Sequence, residues 1–424
     1  MLSLRYICDN KEEVIERLKI RNIDVSTTIN SIVSLDEQRR QCQASANEAQ
    51  AEINTLSKAI GELFKQGKQA EADDARQQTG QLKEKIKSME TALEEIEKKI
   101  QALLITLPNT PHHTVPAGKS AEDNKLIESG GEVKVLPADA MPHWELAAKY
   151  DIIDFELGNK LTGAGFPVYK GKGARLQRAL INFFLDEAIK AGYTEVLPPF
   201  VVNEDSGFGT GQLPDKEGQM YHITMDNFYL VPTAEVPVTN MYRDVILDAS
   251  QFPIKNTAYT PCFRREAGSY GKHVRGLNRL HQFDKVEIVQ IEHPDKSYAT
   301  LQDMVVHSVS LLKKLELPYR VVQLCGGDLG FASACTFDLE VFAAAQKMWL
   351  EVSSVSNFET FQANRLKLRF KEKGDKKTQP AHTLNGSALA LPRIVAALLE
   401  NNQAADGIHI PKALHSYTGF TVIN

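Results

Sequence analysis

The sequence predicts an α+β protein in two parts. An N-terminal antiparallel two-helix coiled-coil arm precedes a domain on a mostly antiparallel β-sheet flanked by helices. Three observations carry this. The first 107 residues hold none of the 18 prolines, only three of the 26 glycines (Gly61, Gly67, Gly80) and two aromatics, Tyr6 and Phe64. Such a stretch suits long helices better than a globular core. Within it, apolar residues recur every seven positions. Beyond it, β-like and helical runs follow one another without strict βα alternation, which points to an antiparallel sheet.

The arm comes first in the chain. Ile32, Arg39, Ala46, Ile53 and Ile60 fall seven apart, and Leu35, Cys42, Ala49, Leu56 and Leu63 follow three residues behind them. This is an a/d seam broken only by Arg39. A second seam runs through Ala72, Thr79, Ile86, Leu93 and Ile100 with Ala75, Leu82, Met89, Ile96 and Leu103. The polar stretch Lys65-Gln66-Gly67-Lys68-Gln69 between them reads as a turn. The hairpin spans about residues 26–104 within an N-terminal domain of 1–107, and should project at least roughly 40 Å at 1.5 Å per residue. Residues 26–104 carry 11 basic and 13 acidic side chains, and Lys58 to Lys68 is locally +2. On composition alone the arm is as much a dimerisation or spacer element as an RNA clamp.

Pro108, Pro111 and Pro116, followed by Gly118 and Ser120, end the arm and open a linker over 108–142, with a strand expected at Glu132 to Leu136. From 143 to 424 the runs Val196 to Val202, Tyr259 to Phe263, Gln282 to Ile291 and Phe337 to Val341 read as strands. Ala174 to Ala191, Met304 to Leu315 and Ile394 to Leu399 read as helices. The net charge of −5 lacks the general basic footprint of a nucleic-acid binder, so RNA would be met through local patches and shape, and DNA is not expected. No window approaches the ~18 apolar residues of a membrane span. Charges at Asp9, Lys11, Glu12 and Glu13 come too early for a signal peptide. Five scattered cysteines without a CxxC pair suggest reduced thiols and a cytoplasmic protein.

Common nucleotide signatures fail. Gly165 to Gly171-Lys172 is one residue too long for a P-loop, with Gly173 where Ser or Thr should stand. Gly207-Phe208-Gly209-Thr210-Gly211 is not GxGxxG and reads as a turn. A different constellation stands out. Phe263-Arg264-Arg265-Glu266 ends a strand and enters a loop with Gly268, Tyr270, Gly271, Lys272, His273, Arg275, Gly276 and Arg279; the chain then returns as His281 to Val289. Strand alternation puts Phe283, Lys285 and Glu287 on one face and Val286 and Ile288 on the other. An aromatic plate, flanking arginines and a carboxylate suit a nucleotide and a cationic group; a salt-bridged surface hairpin is the plainer alternative. Trp349 to Ser354 offers a carboxylate and hydroxyls on a strand, as Mg²⁺ held by one or two protein ligands requires. Thr383 to Ala390 leads into Pro392-Arg393 and a helix whose N-terminus favours phosphate.

Together these motifs resemble a bacterial-type seryl-tRNA synthetase, a class II aminoacyl-tRNA synthetase, over essentially the full chain. Gly192 to Val196 through Pro198-Pro199-Phe200 is similar to motif 1, which builds the dimer interface in the class. Phe263 to Glu287 is similar to motif 2 and Ser387 to Arg393 to motif 3, where Ala388 and Ala390 stand in place of glycines and Pro392 in place of the usual small residue. The seryl assignment rests on the hairpin with Thr233-Ala234-Glu235, Arg264-Arg265-Glu266-Ala267-Gly268, His281 to Glu287 and Thr383 to Ser387.

The resemblance implies a homodimeric ligase, with 143–424 as its catalytic domain. It would activate L-serine with ATP to seryl-adenylate and pass serine to serine tRNA, and to selenocysteine tRNA where the organism has one. It implies that Arg264 grips the ATP α-phosphate and Glu266 the adenine amino group, with Arg265 and Leu280 lining the nucleotide site. Phe283 and Arg393 would sandwich the adenine, and Arg279 and Arg393 would reach the γ-phosphate; Arg264 and Arg393 are the catalytic pair. Glu351 and Ser354 would hold Mg²⁺, with Val352 and Ser353 beside ATP. Thr233, Ala234, Glu235, Arg264, Glu287, Asn385 and Ser387 would surround the serine. The arm would grip the long variable arm of the tRNA by backbone and shape. Two alternatives share the fold. An inactive paralogue typically loses a phosphate arginine or the Mg²⁺ carboxylate, and Arg264, Arg279, Arg393 and Glu351 are all present. A ligase that loads serine onto a carrier protein lacks the long arm.

Overall fold

A computed structural model describes residues 1–215, 217–266 and 275–424. Ala267, Gly268, Tyr270, Gly271, Lys272 and His273 of the motif 2 loop lie outside the described residues. The chain forms two compact units. One comprises residues 2–19 and 23–108, the other Met1, 20–22 and 109–424.

In the first unit, short helices α1 (Leu4–Asp9) and α2 (Lys11–Lys19) precede the hairpin helices α3 (Ser26–Lys65) and α4 (Gln69–Leu104). All twenty seam positions are buried or half-buried, and on α4 only Leu104 joins them. The register is antiparallel: Cys42 on α3 approaches the Met89 carbonyl on α4, Sγ to O 3.5 Å. The break at Arg39 is neutralised from within its own helix. Asp36, buried in the seam, accepts from Arg39 at 2.8 Å and pairs with Arg40 at 2.5 Å. The turn follows from Gly67, whose φ of +73° needs no Cβ to be accommodated. Its N–H donates to Phe64 O and that of Lys68 to Leu63 O, the pair of bonds that closes a Schellman cap.

The second unit is organised on an eight-stranded sheet. Its strands are β1 (Lys125–Gly130), β2 (Thr194–Glu195), β3 (Ile254–Phe263), β4 (Gln282–Glu292), β5 (Tyr319–Gln323), β6 (Cys335–Ala343), β7 (Met348–Asn357) and β8 (His382–Ala390). Their order is β1-β5-β6-β7-β8-β4-β3-β2, with β2–β3 parallel and the other pairings of this sheet antiparallel. Val286 and Ile288 join the main core with Leu180 and Phe184 of the helix Gly171–Lys190, Met304 and Leu312 of Ser297–Lys314, and Ile394 and Leu398 of Leu391–Asn401. The opposite parity, Lys285, Glu287 and Val289, turns away from that core; Val289 meets Ala234 and Val238 in a separate cluster.

Three local expectations fail. Val196 to Val202 is not one strand: Thr194–Glu195 joins the main sheet, and Val201–Asn203 a small sheet of its own. Pro198-Pro199 between them has no N–H for a ladder. Glu132 to Leu136 does not pair; the strand is Lys125–Gly130, and Lys134 instead donates to the Asn401 carbonyl at 3.2 Å. Gly207 to Thr210 is not a turn but lies in a helix, Glu204–Thr210, capped by Asn203 and ended by Gly211. The Asn203 side chain accepts from the N–H of Ser206, a local bond that outweighs the two glycines.

Candidate active site

The face of β4 turned from the core carries buried charged residues. Lys285 and Glu287 are buried side by side, Nζ to Oε2 2.6 Å. The Glu287 carboxylate also accepts from Thr233 Oγ1 and Ser387 Oγ, each at 3.5 Å. Ser387 arrives because β8 pairs with β4 in a register that sets it opposite Glu287. Asn385 lies two residues earlier on β8, on the same parity and buried. Thr233 also accepts from the backbone N–H of Glu235 at 3.2 Å. Glu235 is buried and receives Gln362 Nε2 at 2.6 Å, while Gln362 Oε1 accepts from Thr383 at 2.6 Å. Burial first, and the charge of Glu287 second, push the Glu235 carboxyl up to about 7. A cationic amine placed there would stabilise its charged form.

Motif 2 lies beside this pocket. The Arg264 guanidinium carbon stands 5.2 Å from the Phe283 ring centroid, and its Nε donates to Pro232 O at 3.3 Å. The backbone is pinned by Arg264 N–H to His281 O at 2.9 Å and by His281 Nδ1 at 3.1 Å from Arg264 O. Glu266, at φ +47°, forms an ion pair with Arg279. Arg265 is exposed, with its N–H on the Gln219 carbonyl. Leu280 is buried in the main core, as is Val352, so a nucleotide would meet their backbone. Arg393, in the first turn of Leu391–Asn401, donates to two carbonyls: Asn278 O at 2.9 Å and Glu351 O at 2.7 Å.

Glu351 and Ser354 are three residues apart, which in a regular strand puts them on opposite faces. The β6–β7 register slips by one residue, Leu339 opposite Ser353 but Glu340 opposite Glu351, so Val352 is extra. This bulge returns both side chains to the less buried face. Asp338 lies opposite Ser354, and its Oδ1 is buried without a partner. Burial, and then the Glu351 charge, hold its carboxyl well above the usual range. These hard oxygen donors fit a Mg²⁺ ion.

The predicted residues meet in two sets of contacts. Thr233, Glu235, Glu287 and Ser387 are linked directly, while Arg264 meets Phe283, Glu266 pairs with Arg279, and Arg393 donates to the Glu351 carbonyl. Three partners lie outside the assigned site residues. Lys285 shares the parity of Phe283 and Glu287 and was legible on that ground; Gln362 and Asp338 carry no sequence signal.

Residues 1–111 match the seryl-tRNA synthetase N-terminal domain, and residues 221–402 match the tRNA synthetase class II core domain (G, H, P, S and T). The chain is 50% identical to the serine–tRNA ligase of Salinibacter ruber over 424 residues, 100% of this chain and 99% of the relative. It belongs to the seryl-tRNA synthetase family. The Geobacter sulfurreducens serine–tRNA ligase is 46% identical over 421 residues, 99% of each chain. The seryl-tRNA synthetase from Pyrococcus horikoshii, solved in complex with ATP, superposes with a TM-score of 0.95 at 34% identity, covering 100% of this chain and 99% of that one. The chain is therefore a class II aminoacyl-tRNA synthetase, a serine–tRNA ligase with ATP as a substrate, on the α+β class II fold. Among the described residues no helix is long and apolar enough to cross a membrane.

Proposed function

We propose that these residues form one cleft with a serine lobe and a nucleotide lobe, and that seryl-adenylate forms across it with the residues in the following roles. Glu287, flanked by Thr233 and Ser387, receives the serine hydroxyl. Glu235 receives the ammonium, and Asn385 and Arg264 close the pocket around the carboxylate. The carboxylate attacks the ATP α-phosphorus in line and pyrophosphate leaves. Arg264 and Arg393 offset the charge that develops, so positioning and electrostatics carry the rate. Mg²⁺, held by Glu351 and Ser354, would neutralise phosphate charge. Nucleotide entry exchanges the Glu266–Arg279 pair for adenine and γ-phosphate contacts, while Phe283 and Arg393 take the two faces of the ring. The 3′-terminal hydroxyl of serine tRNA then attacks the acyl carbonyl, forming the seryl ester as the acyl–phosphate bond breaks and AMP leaves.

The observation that carries this reading is the buried Glu287 carboxylate with two hydroxyls at 3.5 Å. Alanine brings no hydroxyl to those polar groups, a discrimination that reaches about 10⁴–10⁵ in sites built to bond a substrate hydroxyl, whereas threonine is rejected only by size. Serine-dependent ATP–pyrophosphate exchange is the test. Strong exchange with serine, less with threonine and negligible exchange with alanine supports it; better exchange with another amino acid overturns the pocket assignment.

We divide the chain functionally into 1–107 for tRNA, a connection over 108–142 that also lends β1 to the main sheet, and 143–424 for catalysis. The arm takes the long variable arm of serine tRNA, and of selenocysteine tRNA where present. The enzyme is a homodimer through motif 1, where Leu197 and Phe200 are exposed. It works in the cytoplasm, where its five free cysteines stay reduced. A dimer by light scattering after removal of the arm supports motif 1 as the interface; a monomer overturns it.

A further inference from the structure

A buried circuit of hydrogen bonds lies behind the nucleotide lobe, outside the residues assigned above. His143 and Glu400 are both fully buried, Nδ1 to Oε1 2.8 Å. The backbone N–H of Leu277 donates to His143 Nε2 at 2.8 Å, so that nitrogen is the acceptor and Nδ1 carries the proton toward Glu400. The other Glu400 oxygen accepts the N–H groups of Ala345 and Gln346, both at 3.1 Å. The Gln346 side chain bridges onward, donating to Glu400 at 2.7 Å and accepting from Asn278 Nδ2 at 2.8 Å. Asn278 in turn offers its carbonyl to Arg393 Nε at 2.9 Å. Glu400 and Arg393 sit on one helix, so the circuit closes on itself.

The backbone is shaped to this contact. Gly276 has φ +68°, and a Cβ there would stand 2.2 Å from His143 Nε2. Beside it, the Arg275 guanidinium stacks 4.7 Å from the Trp144 ring. Residues 275–279, which deliver Arg279, are thus tied to the element that carries His143 and to the helix that carries Arg393.

We infer that the His143–Glu400 pair is a positioning device for ATP: it fixes the returning end of motif 2 so that Arg279 and Arg393 face the nucleotide together. Neither His143 nor Glu400 touches substrate. A bare structural role would lower stability without favouring one substrate, whereas a positioning role acts on ATP and spares serine. The inference rests on the proposed roles of Arg279 and Arg393.

The test is pyrophosphate exchange by the full-length protein, with KM for ATP and for serine and kcat measured separately. His143→Ala should cut kcat/KM for ATP about tenfold to a hundredfold, as small misplacements of catalytic groups do, with serine KM unchanged. His143→Gln, whose amide can both donate to Glu400 and accept from Leu277, should recover most of that loss. Leu146→Ala, a buried core change on the same helix, His143–Lys149, should lower the melting temperature and leave the ATP-to-serine ratio alone. Should His143→Ala fail to fold, Gln346→Ala, which cuts the link to Asn278, decides by the same ATP-selective loss. Wild-type ATP kinetics in the folded His143 or Gln346 variant overturn the inference, as does an equal ATP-selective loss in Leu146→Ala. Wild-type exchange in Arg393→Ala would instead remove the role of Arg393 itself.

Discussion

The arm and the cleft bury different things. Along α3 and α4 burial is periodic and apolar; among the described residues of these two helices Asp36 is the one buried polar side chain. The cleft buries Glu235, Lys285, Glu287, Asn385 and Ser387 within two strands and a short helix. The difference teaches how the two regions can contribute. A helical hairpin held by local packing offers a long, regular surface, and contacts made on it bind substrate and transition state alike. Buried charges held in fixed places are costly to desolvate, and removing one member of a buried pair typically destabilises by about 3–5 kcal/mol. What they give in return is preorganised electrostatics where charge develops.

The largest effects should come from the cleft. Arg264→Ala and Arg393→Ala should each slow adenylate formation by roughly 10²-fold or more, about 3–4 kcal/mol, with circular dichroism unchanged. Wild-type exchange in either would show that the cleft does not work by a phosphate clamp.

Glu235 sharpens the contrast through pH. Its folded-state value is raised from 4.5 to about 7, so between those limits the folded protein holds a proton that the unfolded chain has lost. Its contribution therefore lowers stability as pH rises from about 4.5 to 7. Glu235→Gln should remove that slope in urea melts across this window. Serine KM should fall as pH rises through about 7 in the wild type, as the carboxylate becomes available to the ammonium. In Glu235→Gln it should be higher and flat. A pH-independent serine KM in the wild type would place the ammonium elsewhere.

The smallest effect belongs to the arm. Gly67→Ala meets no atom within 4 Å, so only the strain of φ +73° remains, about 1–2 kcal/mol. Hydrogen exchange should quicken at the hairpin tip, with pyrophosphate exchange untouched. A change in catalytic rate would break the separation of the two regions.

The arm was legible position by position because helix packing is local: the heptads named in the sequence are the residues the hairpin buries. The β4 face was legible for the same reason, since alternation alone separates Glu287 from Val286. Other features needed the third dimension. Gln362 reaches Glu235 from 127 residues away, and His143 meets Glu400 across 257. Nothing in the pattern of Trp349 to Ser354 announces the extra Val352 that brings Glu351 and Ser354 to one face. Val196 to Val202 sets β-branched residues on both sides of two prolines, and the ladder obeys the prolines.

The central claim is that the cleft makes the adenylate alone and the arm serves only the tRNA. Excising residues 46–59 and 73–86 together removes two heptads from each arm helix, keeps the antiparallel register that joins Cys42 to Met89, and retains the Gly67 turn. The shortened enzyme should run serine-dependent pyrophosphate exchange at the wild-type rate, while its KM for serine tRNA rises steeply and kcat for transfer changes far less. An unaltered tRNA KM would contradict the account, and so would loss of exchange in a folded protein.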